Sequence, residues 1–136
     1  MNRKIVALFG AASLLATAGV ASAQSGLVGK VTDIATLKLA SGEPLSDKPI
    51  ELEAGKYYRI KVESDGSAEK AISGPAFFRN CWVNEIVIND IEVRPLGVDS
   101  IEFDDEGEAD ISFVCMKPGK YELTATGSPP VEVNIK

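Results

Sequence analysis

The sequence predicts an all-β sandwich in one domain, on three observations. Short alternating apolar segments recur at regular spacing, with Gly, Pro and polar residues between them, which is the pattern of strands and turns. The stretch from Ile111 to Leu123 alternates on both sides of Pro118-Gly119. Proline presets the backbone there and glycine tolerates positive φ, so two strands meet at a sharp corner. No internal repeat, low-complexity tract or second domain is visible along the chain.

The first residues have the form of a secretory signal. Arg3 and Lys4 are followed by an apolar run from Ile5 to Val20 and by Ala21-Ser22-Ala23 before Gln24. The reading is residues 1–23 as signal peptide and 24–136 as the exported domain, with a periplasmic or secreted location. The uncleaved alternative is a membrane anchor, against which Gly10, Ser13, Thr17 and Gly19 dilute the apolar run. Cleavage leaves roughly 113 residues, enough for one core and too few for two. The full chain has net charge -6, and losing two basic residues takes it to about -8. Such a surface repels nucleic acid and anionic lipid and favours basic proteins or cations.

Within the domain, Leu27–Leu39 is irregularly spaced and reads as two short strands, with a short helix over 33–39 as the alternative. Ser41-Gly42-Glu43-Pro44 is a connector. Ile50-Glu51-Leu52, the Ala54-Gly55-Lys56 turn, and Tyr58, Ile60 and Val62 in alternation predict a hairpin. Residues 64–75 read as a polar loop with room for one helical turn. Residues 77–83 alternate as a central strand, with Phe77, Arg79, Cys81 and Val83 on one face and Phe78, Asn80 and Trp82 on the other. Residues 85–93 form another strand, rich in β-branched side chains and ended by Pro95 and Gly97. Ile101-Glu102-Phe103 is a short strand, residues 104–108 an acidic turn, and Val131, Val133 and Ile135 the closing strand.

Pro49-Ile50-Glu51-Leu52-Glu53-Ala54-Gly55-Lys56-Tyr57-Tyr58-Arg59-Ile60, then Phe77-Phe78-Arg79-Asn80, then Pro118-Gly119-Lys120-Tyr121-Glu122-Leu123 occur in the order of motifs in one known family. From about Pro49 to Lys136 the chain resembles the cupredoxins, Greek-key β-sandwiches that usually hold blue copper. The resemblance implies a cupredoxin-like Greek-key sandwich and places the family's copper ligands at Arg79, where a histidine is usual, and near Ala125, where the cysteine is usual. Blue copper needs two imidazoles, a thiolate and a weak axial ligand. The sequence contains no histidine, so the resemblance implies a degenerate member without that site.

The two cysteines, Cys81 and Cys115, have one possible pairing, and an oxidising compartment favours it. The alternative is copper as a cofactor, held as copper(I) by Cys81, Cys115 and Met116 for copper handling or electron transfer. Phe77, Phe78, Trp82, Tyr57 and Tyr58 offer an aromatic surface, of which alternation buries about half. Asp104, Asp105, Glu106, Glu108 and Asp110 lack the EF-hand spacing and read as a solvated hairpin turn rather than a calcium site. No spacing signals an activated nucleophile. The functional expectation is therefore a non-catalytic binding or accessory module with no cofactor. Its partner is expected to be another periplasmic protein, met by Arg79, Asn80 and Trp82.

Overall fold

The computed structural model describes residues 29–136. The signal segment 1–23 lies outside the described residues. Ten strands and one short helix follow in order: β1 Thr32–Leu39, β2 Ile50–Leu52, β3 Tyr57–Ser64, β4 Lys70–Ser73, α1 Pro75–Asn80, β5 Cys81–Ile88, β6 Ile91–Val93, β7 Ser100–Phe103, β8 Gly107–Cys115, β9 Gly119–Ala125 and β10 Ser128–Ile135. They form two five-stranded mixed sheets, β1-β3-β8-β5-β6 and β2-β10-β9-β4-β7. All connections except β5 to β6 and β9 to β10 cross from one sheet to the other. This interleaving makes the sandwich, because each crossing pins one layer to the next.

The core lies between the layers. Leu37, Ile60, Val62, Ile111 and Phe113 from one sheet meet Leu52, Ile72, Leu123, Val133 and Ile135 from the other. The faces read from alternation are correct for β3, β8, β9 and β10, since inward positions are buried and most outward ones are not.

Six sequence expectations change. Residues 32–39 form one strand with a register shift between Asp33 and Thr36, which explains the irregular spacing that read as two strands. The Ala54-Gly55-Lys56 turn joins β2 and β3 in different sheets, so it is an arch and not a hairpin. Its direction is held by Gly55 N–H donating to the Cys115 carbonyl at 2.8 Å and Glu53 N–H donating to the Tyr58 hydroxyl at 3.1 Å. The acidic turn at 104–106 likewise links β7 and β8 across the layers. Residues 75–80 are helical rather than the start of a strand. Pro75 stands at the head of the helix, where its missing N–H costs nothing, and Phe78 N–H donates to the Gly74 carbonyl at 2.8 Å. The helix lets two consecutive residues, Phe77 and Phe78, both enter the core, which a strand forbids.

The polar loop at 64–75 also contains β4, and the strand expected over 85–93 is a hairpin. β5 continues to Ile88, Asn89 and Asp90 adopt φ of 47° and 64°, and the chain returns as β6. Two positive φ values in a two-residue loop match the twist of the flanking strands, and Asn and Asp tolerate that region better than most residues.

Candidate functional site

The corner at Pro118-Gly119 organises one end of the sandwich, where α1 enters β5. Phe77 packs edge-on against Phe113 with ring centroids 5.3 Å apart, and Tyr121 stands at 6.5 Å. Gly74 brings the chain so close to β9 that a Cβ there would sit 2.5 Å from Leu123 Cδ2. Asn80 closes the corner: its Nδ2 donates to the Lys117 carbonyl at 2.9 Å, and Lys117 N–H donates to its Oδ1 at 3.2 Å. Met116 N–H donates to the Asn80 carbonyl at 2.8 Å. Asn80 is thus a clamp, with both ends of its amide engaged within the fold.

Cys81 and Cys115 form the expected disulfide, with Cα atoms 3.8 Å apart. They are direct partners on neighbouring strands of one sheet. The Met116 to Asn80 bond beside them makes theirs a non-hydrogen-bonded pair, the closer of the two antiparallel spacings. Both are buried.

Arg79 and Trp82 face outward beside this disulfide. Arg79 lies 3.5 Å from Asp99 in an exposed ion pair, and Trp82 is 39% exposed. Between them and the chain that leaves β6 lies an open groove of about 370 Å3, lined by Phe78, Trp82, Val83, Pro95, Leu96 and Val98. Leu96 projects fully into solvent, and Val93 and Ile91 are also exposed. The structure therefore brings Arg79 and Trp82 to one surface and gives Asn80 a different task. Sequence reasoning missed Leu96, Val93 and Asp99; the only signal was Leu96, an apolar residue within a turn segment.

Of the other aromatic candidates, Phe77, Phe78 and Tyr58 are buried, and Tyr57 is half-buried with its hydroxyl accepting from Asn84 Nδ2 at 3.0 Å. Asn84 Oδ1 in turn accepts from Arg94 at 3.2 Å, and Arg94 pairs with Glu92 and Glu85.

The acidic residues divide at the opposite end. Glu108 and Asp110 flank Lys61 at 3.0 Å and 3.8 Å. Asp105 Oδ1 accepts from Glu106 N–H at 2.8 Å and closes the corner. Asp104 joins Glu69 and Glu102, with carboxylate oxygens within 4.8 Å of one another and all three side chains exposed. A hydrogen bond shared with Glu69 holds the Glu102 carboxyl above the usual carboxylate range, and the charges of Glu69 and Asp104 add to the effect. Nearby, the buried Lys70 donates to the Ala40 carbonyl at 2.7 Å and contacts Ser128 Oγ at 3.4 Å, tying two connections together.

The chain matches no protein-family model and no curated protein. Solved structures do share its fold. A multi-copper oxidase from Pseudomonas thermotolerans aligns with TM-score 0.55 and 10% identity, covering 79% of this chain and 29% of that one. A Cu-containing nitrite reductase from Thermus scotoductus gives 0.52 and 15%, covering 66% and 22%. Blue Copper Oxidase from Nitrosomonas europaea gives 0.51 and 12%, covering 65% and 30%. The class is thereby defined as a cupredoxin-like β-sandwich. The chain spans less than a third of each of those three structures, and at these identities it is the fold that is shared.

Blue copper does not fit the donors of this chain. The positions that the resemblance assigned to ligands stay apart: Asn80, next to Arg79, is bonded to Lys117 just before β9, and Ala125 closes the far end of that strand. Six residue steps at about 3.3 Å each separate the two ends by about 20 Å. No imidazole occurs in the sequence, and both cysteine sulfurs are joined to each other. Met116, the third residue of the sulfur set, is half exposed next to Cys115. Among the described residues no helix is long and apolar enough to cross a membrane.

Proposed function

We propose that this chain is an exported, non-catalytic binding or accessory module that uses the cupredoxin frame as a scaffold and contacts another protein through the groove beside Trp82. One observation carries the reading: an exposed indole, a projecting leucine and an ion pair surround a groove at the most firmly tied end of the fold. Exposed aromatic and arginine side chains at the rim of an apolar depression are the usual anchors of protein recognition. The disulfide supports an oxidising compartment, as does the signal-like N-terminus.

The test is affinity capture from the envelope fraction of the source cell, with Trp82→Ala and Arg79→Glu against the unmodified protein. Both variants are expected to keep the melting temperature and lose the captured protein. Undiminished capture by both overturns the surface. Copper is tested separately: copper(I) retained by reduced protein against a weak chelator, and lost in Cys115→Ser, would replace the binding reading with a sulfur-ligand one.

A further inference from the structure

The groove beside Trp82 reaches one sulfur-bearing residue of the disulfide and leaves the other enclosed. Cys81 lines the groove together with Phe78, Trp82 and Val83. It keeps 8% of its surface accessible, whereas Cys115 is 0% exposed. The difference follows from sheet order. β8 lies between β3 and β5, so Cys115 has chain on both sides. β5 has β8 on one side at this end, while on the other β6 pairs with it only from Ile86 to Ile88.

The direction of the bridge gives this asymmetry a chemical meaning. A thiolate breaks a disulfide by displacement along the S–S axis, entering opposite the sulfur that leaves. Cys81 and Cys115 are directly opposed in the register, so the bridge runs across the strands from β8 to β5. Continued beyond Cys81, it passes to the side of β5 where the groove lies. Continued beyond Cys115, it meets the 54–56 arch, where Gly55 N–H donates to the Cys115 carbonyl at 2.8 Å. The groove, at about 370 Å3, is within the size range of small-ligand sites and has room for a thiol-bearing side chain.

We propose that this end of the sandwich is a thiol–disulfide exchange site whose substrate is a dithiol, with Cys81 the attacked sulfur and Cys115 the leaving one. The proposal goes beyond the binding role and does not depend on it. The dithiol enters as a thiolate, having given a proton to water, and bonds to Cys81 Sγ. The Cys81–Cys115 bond breaks, and its electron pair leaves on Cys115 Sγ, which takes a proton from water. The second thiol of the same molecule then attacks its own sulfur in the mixed disulfide, releasing Cys81 as a thiolate that is protonated in turn. Two electrons and two protons pass from the dithiol to the chain, once per chain. The second thiol is needed because the β5–β8 register holds the freed Cys115 opposite Cys81. From there it returns with the high effective concentration of an intramolecular group and expels a monothiol.

The experiment treats the exported, oxidised chain with dithiothreitol, glutathione or reduced thioredoxin, stops the reaction with iodoacetamide, and reads intact mass and mapped peptides. Below the unfolding transition, added urea should change the dithiothreitol rate by less than about twofold, because the folded chain is attacked. Glutathione should be found on Cys81 with Cys115 alkylated, and should leave most chains oxidised at thiol concentrations where dithiothreitol reduces them. The free thiol of Cys115→Ser should be alkylated at least about tenfold faster than that of Cys81→Ser. A rate that climbs in step with the unfolded fraction overturns the inference, and this measurement requires no variant to fold. Glutathione on Cys115, or equal alkylation of the two variants, overturns the choice of attacked sulfur. Equal reduction by glutathione and dithiothreitol overturns the dithiol as substrate. Faster reduction by thioredoxin than by dithiothreitol supports a protein dithiol, and the reverse order supports a small one. None of these readouts uses partner capture, so failure of the binding role and failure of this site are separate results.

Discussion

β8 and β6 flank the same strand, β5, and differ completely in their surroundings. The last five residues of β8, Ile111 to Cys115, are all buried, including the outward-facing Ser112 and Val114. Those two lie beneath their register neighbours, Val114 between Tyr57 and Trp82 and Ser112 between Arg59 and Glu85. All three residues of β6 are exposed, although Ile91 and Val93 stand opposite Ile88 and Ile86 and share their face. The same apolar residue types hold the fold together in one strand and remain available for contact in the other. Position within the sheet decides here whether an apolar side chain is buried or left exposed, and hydrophobicity does not.

That contrast is most easily broken by mutation in the two strands. Phe113→Ala removes a fully buried ring that contacts Phe77 and Tyr58, and should cost about 3–5 kcal/mol in urea unfolding. Val93→Ala should stay within about 0.5 kcal/mol. Comparable losses would show that β6 is packed as firmly as β8. Replacing both cysteines by serine should cost about 2–4 kcal/mol, read as a lower melting temperature that no longer responds to reductant. Gly74→Ala forces a methyl group against Leu123 and the Glu122 carbonyl, and a loss of about 1–3 kcal/mol is expected from thermal melts.

The smallest effect belongs to another edge strand, β7. Its Glu102 carboxyl keeps its proton to higher pH in the folded chain than in the unfolded one, because of Glu69. Across that window the folded state binds more protons, so stability falls as pH rises through it, and the repulsion is fully present above the raised value. Glu102→Gln should raise the urea midpoint slightly at neutral pH and flatten this part of the pH profile. Asp33 has the opposite sign. Its bond to Arg59 at 2.6 Å lowers its pKa, so its contribution is present above the ordinary value and is lost as pH falls through the lowered one. An Asp33→Asn variant that became less stable at acid pH than at neutral pH, relative to the unmodified chain, would contradict this.

The sequence by itself determined which residues share a face in β3, β8, β9 and β10, that Pro118-Gly119 makes a corner, that Cys81 has one possible partner, and that no imidazole exists to hold copper. Each is a property of local order or of residue identity, which the chain carries into any packing. Only the tertiary structure decided that the turns at 54–56 and 104–106 are arches between sheets, since alternating strands around a short turn look the same whether the second strand returns or crosses. It also decided that residues 75–80 coil. Six residues cannot record a helical period, and the space between β5 and β9 selects a form that buries Phe77 and Phe78 together. The candidate surface was half legible. Arg79 and Trp82 share a surface although the strand read over 77–83 put them on opposite faces, because Arg79 is helical; Asn80 is engaged by Lys117, and Leu96 and Asp99 join from a segment separated in sequence. Exposure is a relation between a side chain and neighbours that folding brings from elsewhere, so residue order can name the candidates and only the assembled layers can leave them uncovered.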